Sequence, residues 1–443
     1  MYQKAAFIKT FGCQMNEHDS EKIMRILEED DYTVTEDIDK ADLILLNTCS
    51  IREKAEHKVY SSLGRLKTLK KKNPKLVIGV GGCVAQQEGE KLLNRVPHLD
   101  LVFGTHNIHK LPELIAKVDK TGKRITETDM HDSIPSLDAF SLPSEGQIKS
   151  YITIMQGCDN YCSYCIVPYV RGREISRKSG EILEEIRRLS NRGIKDITLL
   201  GQNVNSYGKG YAKEVTFPEL LHAVNKTEGI ERIRFTTSHP KDLSEELIYS
   251  FRDLNKLCEH IHLPVQSGSD SILRAMNRKY TASYYVKKVK KLRDICPEIS
   301  ITSDIIVGFP GETEKDFEKT LELMEIVKFD SVFSFKYSDR AETRASTLPG
   351  KIDDAVKSER LSTLQAYQKT FTLEANKKLV GKDEGVLVEG PSKTDPARLT
   401  GRTRSNKVVN FQGSINLIGE IIPVRIRRAF LHSLEGVTAF DTS

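Results

Sequence analysis

Eight consecutive residues, Cys158-Asp-Asn-Tyr-Cys162-Ser-Tyr-Cys165, place three thiols in one short loop with an aromatic just before the third. No other stretch limits the chain as strongly. Three thiolates can hold three irons of a cubane iron–sulfur cluster and leave the fourth iron open to a small molecule. A fourth nearby cysteine would point instead to a closed electron-transfer cluster or a structural zinc, and none follows until Cys258. The bland alternative is three core or zinc cysteines that happen to lie close together.

The 443 residues suit two to four domains. Hydrophobic content of 38% and charged content of 29% fit ordinary packed cores. No apolar run approaches the length that crosses a bilayer, and Met1–Phe7 lacks the basic and apolar regions of a secretory signal. The expected compartment is therefore the cytoplasm, where the eight cysteines point to metal or redox chemistry more than to disulfides. A net charge of +5 is too small to identify a nucleic-acid partner. No short repeat or low-complexity stretch stands out.

Residues 1–120 alternate buried apolar runs (Ala5–Ile8, Leu43–Leu46, Leu76–Val80) with helical patterns, as a small doubly wound α/β domain would. Asn16 and Ser20 are candidate helix starts. Residues 121–149, with Pro135 and Pro143, read as a linker. Residues 150–376 read as one domain: strand then helix repeats six times over 150–336, and a long helical pattern follows, over Asp353–Val380. The predicted strands are Tyr151–Met155, Asp196–Gly201, Arg232–Thr237, His260–Pro264, Ser300–Val307 and Ser331–Phe335. Six units predict a partial (β/α)6 barrel with an open side. Ser179 is the expected cap of one helix, and Thr313 with Asp316 forms an expected capping box. Residues 377–443 turn to strands broken by Gly and Pro, as a small antiparallel β barrel would.

A second trio, Cys13, Cys49 and Cys83, follows three predicted strands of the first domain. In parallel α/β folds such strand ends share one edge, where ligands bind, so thiols distant in sequence would converge. Gly12, Gly81 and Gly82 would let the backbone approach whatever sits there. Three ligands again imply an open iron; the alternative is three separately buried cysteines. Cys258 and Cys296 read as core residues. His18, His57 and His239 read as surface or hydrogen-bonding residues rather than metal ligands.

The cysteine loop resembles that of the radical S-adenosylmethionine (SAM) enzymes, in which the open iron chelates SAM. The whole chain, from about Phe7 to Ala439, resembles the methylthiotransferases of that superfamily. That resemblance implies an N-terminal domain with an auxiliary 4Fe–4S cluster, a radical-SAM barrel and a C-terminal TRAM domain. Thr10-Phe-Gly-Cys-Gln-Met-Asn-Glu-His-Asp-Ser-Glu21 and Asn47-Thr-Cys-Ser-Ile-Arg-Glu-Lys-Ala-Glu56 are similar to the branch acting on isopentenylated adenosine in tRNA. The threonylcarbamoyladenosine and ribosomal-protein branches usually carry Lys-Val or Pro-Lys where this chain has Gln14-Met15. Ile166-Val-Pro-Tyr-Val-Arg-Gly-Arg173 is similar to both tRNA branches.

The implied reaction replaces the hydrogen on C2 of N6-isopentenyladenosine, at position 37 of tRNA, with a methylthio group. An aromatic C–H bond resists acid–base chemistry, so a cofactor must supply the reactivity and the protein the placement. The implied cofactors are SAM and two 4Fe–4S clusters, held by Cys13, Cys49 and Cys83 and by Cys158, Cys162 and Cys165. Tyr164 and the segment of Ile306 and Gly308 fall where the resemblance places the adenine of SAM, while Gln202, Ser238 and Gln266 are polar side chains at predicted strand ends, where its ribose or methionine could be held. Arg171 and Arg173 are candidates for a carboxylate or a phosphate of the tRNA anticodon stem-loop, and in the last domain Arg402, Arg404, Arg425 and Arg427 are candidates for that stem-loop. A reducing electron donor and a sulfur donor are expected partners, and the chain is expected to be a monomer without membrane attachment. Two alternatives keep the chemistry: threonylcarbamoyladenosine in tRNA, or a ribosomal-protein aspartate. A third is an RNA-binding protein with structural metal sites and no turnover.

Overall fold

A computed structural model describes residues 3–50, 53–131, 143, 146–210 and 214–438. Most of the predicted linker, with Pro135, lies outside the described residues, as do Ile51 and Arg52 and the side chain of His57.

The first domain is a six-stranded parallel sheet: β1 (Lys4–Thr10), β2 (Tyr32–Val34), β3 (Leu43–Thr48), β4 (Val77–Gly82), β5 (Leu101–Phe103) and β6 (Ile125–Glu127), ordered β2-β1-β3-β4-β5-β6. Helices α1 (Gln14–Glu29) and α5 (Leu111–Thr121) pack Ile23, Leu27 and Ile115 on one face. On the other face α2 (Glu53–Lys72), α3 (Cys83–Glu88) and α4 (Glu90–Arg95) pack with Ile44, Ile78 and Val102. β3 and β4 are buried along their whole length, which is why they read as unbroken apolar runs. The strand order reverses between β1 and β3, and a doubly wound sheet opens its ligand crevice at such a point. The sheet does not end at residue 120. β6 pairs with β5 inside the predicted linker, a strand too short to show as an apolar run.

Two further expectations differ. α1 begins at Gln14 with Cys13 as its N-cap, so Asn16 and Ser20 lie inside the helix, buried. Asn16 Nδ2 donates to the carbonyls of Phe11 (3.1 Å) and Thr48 (2.8 Å), and Ser20 joins Thr10 and Asn47. Polar side chains that would cap a helix start elsewhere here clamp two loops together. Ser179 opens α7 without capping it, because the N-cap is Lys178.

The second domain carries β7 (Lys149–Thr153), the short hairpin β8 (Met155–Gln156) and β9 (Ile175–Ser176), α6 (Val167–Val170), α7 (Ser179–Ser190), β10 (Asp196–Leu200), α8 (Phe217–Asn225), β11 (Arg232–Phe235), α9 (Glu245–Asp253), β12 (His260–His262), α10 (Asp270–Ala275), α11 (Ala282–Ile295), β13 (Ser300–Val307), α12 (Glu314–Val327), β14 (Ser331–Lys336) and α13 (Asp354–Lys377). The main strands run parallel as β11-β10-β7 and β12-β13-β14, joined by a bridge between Ile233 and Leu257. The six predicted strands are thus present, within a residue or two. Ile197, Ile233, Ile261, Ile301 and Ile305 alternate outward into the helix layer, while Thr236, His262, Thr302, Asp304 and Phe333 line a cavity on the inner side. A closed eight-unit barrel fills its centre with branched apolar side chains; this one keeps a polar chamber. Thr313 and Asp316 make the expected capping box.

The last domain is a closed barrel, β15 (Asp383–Pro391), β16 (Leu399–Arg402), β17 (Val408–Phe411), β18 (Ile421–Ala429) and β19 (Leu434–Thr438). It docks at the end of the second domain where the strands begin, and Arg402, Lys407 and Leu434 line the cavity there. Arg232 donates to the carbonyls of Arg402 (2.6 Å) and Gly385 (2.8 Å), Arg234 to those of Thr403 and Arg404 (both 2.9 Å), and Lys407 pairs with Asp330 at 2.6 Å. Among the described residues no helix is long and apolar enough to cross a membrane.

Candidate functional site

Each trio is held differently. The loop from Cys158 to Cys165 hangs on backbone bonds: Cys158 N–H to the Gly172 carbonyl (3.2 Å), Cys165 N–H to Cys162 (2.9 Å), and Ser163 N–H to Met276 at the end of α10 (3.0 Å). The Ser163 hydroxyl donates to Ala275 (2.7 Å), and the Asn277 amide holds the Tyr161 carbonyl (2.9 Å). Tyr161 is left-handed at φ 47° and Gly157 at 78°, a compressed path that brings the thiols round to one side. A Cβ on Gly157 would strike the Arg173 carbonyl.

Cys13, Cys49 and Cys83 follow β1, β3 and β4 at the carboxyl edge of the sheet. Gly12 (φ 118°) passes so near Cys49 that any Cβ there would collide with its side chain, and Gly82 (φ 88°) lies against the Thr48 backbone. The Cys13 thiol is lowered to about 6, chiefly by a hydrogen bond with Cys49 and then by the Arg171 charge. Burial pushes Cys83 up. In the loop trio burial raises Cys158 to about 11 and Cys165 to about 12.

All six thiols line one cavity of about 730 Å³. The short helix α6 lies between the trios, and Ile166 and Val170 pack on Cys83. The lining also includes Tyr164, Gln202, Ser238, His239, Gln266 and Arg278. Two backbone outliers mark the strand ends there, Thr237 (φ 66°) and Gln266 (φ 72°), and such strain concentrates at functional sites. The Ser238 hydroxyl and His239 Nε2 are buried with no partner among the described residues. Buried polar atoms are rarely left unpaired unless a ligand or water completes them.

The six expected SAM-contact residues divide. Tyr164 and Ile306 meet in one small apolar cluster. Ser238 and Gln266 face the cavity. Gln202 is engaged: its Oε1 accepts the Gly157 N–H at 2.5 Å and so steadies the cysteine loop. Gly308 makes a turn at φ 71°, with its N–H donated to Glu312 (2.7 Å), which Arg360 in turn grips at 2.8 Å.

The arginines divide too. Arg171 is 4% exposed and bonded to Asp19 at 2.7 Å, so it does not face an RNA. Arg404 is spent on Glu259 (2.7 Å) and the Leu257 carbonyl, fastening the last domain to the second. Arg402 lines the cavity. Arg173, Arg425 and Arg427 are exposed, the first paired with Asp159 and the second with Asp383. His18 and His239 are buried, not superficial; each has one ring nitrogen in a polar contact. Cys258 and Cys296 are buried as core residues.

Arg278 escaped the sequence reading. It is buried, with Nη1 at 3.5 Å from Cys162 Sγ and from the Tyr164 hydroxyl, and Nη2 on the Pro264 carbonyl at 2.7 Å. Burial opposes its charge, but Tyr280, Tyr164 and Cys162 hold it firmly cationic. The one available signal was its place, in an Asn-Arg-Lys run just after α10, and that carries no chemistry by itself.

The donor set fits two cubane clusters. Each trio brings three thiols to the wall of one chamber, and at the strand-end trio Gly12 leaves room beside Cys49.

Three family models match the chain: uncharacterized protein family UPF0004 over residues 5–104, the radical SAM superfamily over 152–324 and the TRAM domain over 377–438. A tRNA-2-methylthio-N(6)-dimethylallyladenosine synthase of Syntrophus aciditrophicus (strain SB) is 57% identical over 98% of this chain and 94% of its own length. A protein of the same name from Geobacter metallireducens is 54% identical over 99% of both. Among solved structures, the radical SAM methyltransferase TsrM from Kitasatospora setae superposes with a TM-score of 0.55 at 13% identity, covering 78% of this chain and 77% of that one. The cobalamin-dependent radical enzyme OxsB gives 0.51 at 14% identity, covering 83% and 56%. These two likenesses concern the fold.

Proposed function

The chain belongs to the tRNA-2-methylthio-N(6)-dimethylallyladenosine synthases of the radical SAM superfamily, and from that premise we propose how its residues divide the work. The enzyme is a SAM-dependent transferase that converts N6-isopentenyladenosine, beside the anticodon of tRNA, to its 2-methylthio derivative, with two 4Fe–4S clusters. The observation that carries the division is the pair of thiol trios facing one cavity.

Cys158, Cys162 and Cys165 would hold the cluster that binds SAM, and Cys13, Cys49 and Cys83 the auxiliary one. When bound, these groups supply one-electron cleavage of SAM and a site for sulfur. The protein's own part is placement. Arg278 offers a fixed, desolvated guanidinium beside Cys162, suited to a carboxylate such as that of the methionine moiety. The unpaired Ser238 hydroxyl and the Gln266 side chain offer polar contacts to the rest of the molecule. Tyr164, which lines the cavity, offers an apolar wall to its adenine, and Ile306 packs in the same apolar cluster outside the lining. Ile166, Val167 and Val170 screen the space between the trios, which keeps a reactive species from water.

The tRNA contacts fall to Arg173, Arg402, Arg425 and Arg427, with the last domain as a platform for phosphates. The site would lie in the cytoplasm, act as a monomer, and depend on a reducing electron donor and a sulfur donor.

The test is anaerobic cluster rebuilding followed by reductant, SAM and tRNA carrying isopentenyladenosine, with the digested nucleosides read by mass spectrometry. The 2-methylthio nucleoside is expected. Deoxyadenosine without that product, but with product from threonylcarbamoyladenosine tRNA, would move the substrate assignment. Colourless protein with zinc and no SAM cleavage would remove the catalytic reading.

A further inference from the structure

Arg171 sits in the second domain's sequence and the first domain's site. It follows the cysteine loop, at the end of α6. Its backbone is locked from both sides: its N–H donates to Val167 (2.8 Å), its carbonyl receives His106 Nε2 (3.1 Å), and Thr105 holds the neighbouring Val170 carbonyl (2.9 Å). The side chain then enters the first domain, where Nη2 bonds Asp19 (2.7 Å) and Asn16 Oδ1 (3.2 Å). The guanidinium lines the same cavity wall as Cys13, Cys49 and Cys83, and its charge favours the thiolate at both Cys13 and Cys83. A buried arginine is costly unless its environment supplies negative charge. One carboxylate, Asp19, neutralises it, and that carboxylate acts on the same thiols with the opposite sign.

Three thiolates around a cubane leave a net negative charge at the cavity wall. Net charge and hydrogen bonds to sulfur are the terms by which a protein sets a cluster's reduction potential. A buried cation beside the thiols favours the reduced, more negative state, and a buried carboxylate beside it disfavours that state.

We propose that Arg171, delivered from the radical domain, is a positioning residue for the auxiliary cluster that raises its reduction potential, with Asp19 as the opposing half of the pair. This rests on the assignment of Cys13, Cys49 and Cys83 to a cluster. It also makes the auxiliary site dependent on the loop that carries the other trio, so neither domain alone sets its electronics.

The test uses the full-length chain with Cys158, Cys162 and Cys165 replaced by Ala, which leaves only the auxiliary site to be loaded. Iron and sulfide content and the midpoint potential, from an anaerobic titration followed by electron paramagnetic resonance, are compared for this parent and for Arg171→Met, Arg171→Lys and Asp19→Asn added to it. Arg171→Met is expected to move the midpoint negative, Arg171→Lys to move it less, and Asp19→Asn to move it positive. Opposite signs separate electrostatics from loosened packing, which would move Arg171→Met and Asp19→Asn the same way. An unchanged midpoint at full iron content, or shifts of one sign, overturns the proposal. A parent that binds no cluster overturns instead the assignment on which it rests.

Discussion

Cys158, Cys162 and Cys165 come from one loop, whereas Cys13, Cys49 and Cys83 are gathered from the ends of three strands. Both trios face the same cavity, yet their surroundings differ. The loop trio is dominated by burial, which raises Cys158 and Cys165 toward 11 and 12, and its nearby cation is Arg278. In the strand-end trio a hydrogen bond with Cys49, and then the Arg171 charge, lower Cys13 to about 6 while burial raises Cys83, and the Arg171–Asp19 pair lies alongside. Local sequence is enough to make a thiol trio, but the surrounding fold decides what charge it meets.

The largest effects break the two apart. Replacing Cys158, Cys162 and Cys165 with Ala should reduce deoxyadenosine formation to background, measured by mass spectrometry under reductant. Replacing Cys13, Cys49 and Cys83 should leave that cleavage in place and abolish the methylthiolated nucleoside. Methylthio product from the second triple variant would show that the trios do not divide the work.

The next effect is at Arg278. A hydrogen bond to a charged group contributes about 1.5–3 kcal/mol, so Arg278→Met should slow SAM cleavage by about 10–100-fold, with Arg278→Lys between it and the native enzyme. Product formation should fall in step. A loss of product with cleavage untouched would place Arg278 on the tRNA side of the cavity.

Gly12→Ala tests the strand-end trio by backbone alone. A Cβ there has no room beside Cys49, and the positive φ adds about 1–3 kcal/mol of strain. The variant should lose about half of its iron and all of its methylthio product, yet still cleave SAM. Full iron content would mean that Cys49 can retreat and that the glycine is not needed for the site.

How far each trio was legible follows from how it is built. The Cys158–Cys165 loop needed only spacing. Cys13, Cys49 and Cys83 needed one topological rule, that parallel strands end at a common edge, and β1, β3 and β4 obey it. Arg278 was not legible because it reaches Cys162 through the packing of α10, which no local pattern encodes. For Arg171 the sequence left a carboxylate and a tRNA phosphate open, and the partner is the carboxylate of Asp19. Two residues from the exposed Arg173, the sequence setting of Arg171 says loop, while burial comes from a different domain. Asn16 and Ser20 carried the side chains of helix caps but serve as clamps. β6 was missed because three residues show no period. The six barrel strands were legible because strand and helix repeat in turn, with capping signals between them, whereas the polar chamber they enclose shows only when the strands are assembled.

The smallest effect concerns the floor under the cysteine loop. Glu174 follows Arg173, its N–H donates to Asp159 (3.3 Å), and its carboxylate accepts from Ser206 (2.7 Å). Burial pushes this carboxyl up to about 7; the Ser206 bond opposes that, and Asp159 and Asp242 add to it. A carboxyl raised in the folded state above its ordinary 4.5 favours folding fully below about pH 4.5, and that contribution is lost as pH rises through 7. Between pH 6 and pH 8 the native chain should therefore lose stability that Glu174→Gln keeps. The difference is about 1 kcal/mol once solvent screening of a partly exposed group is allowed for. Thermal melts of the cluster-free protein at the two pH values would measure it. Parallel changes in both proteins would show that Glu174 is ionised in the fold and that the loop's support is insensitive to its proton.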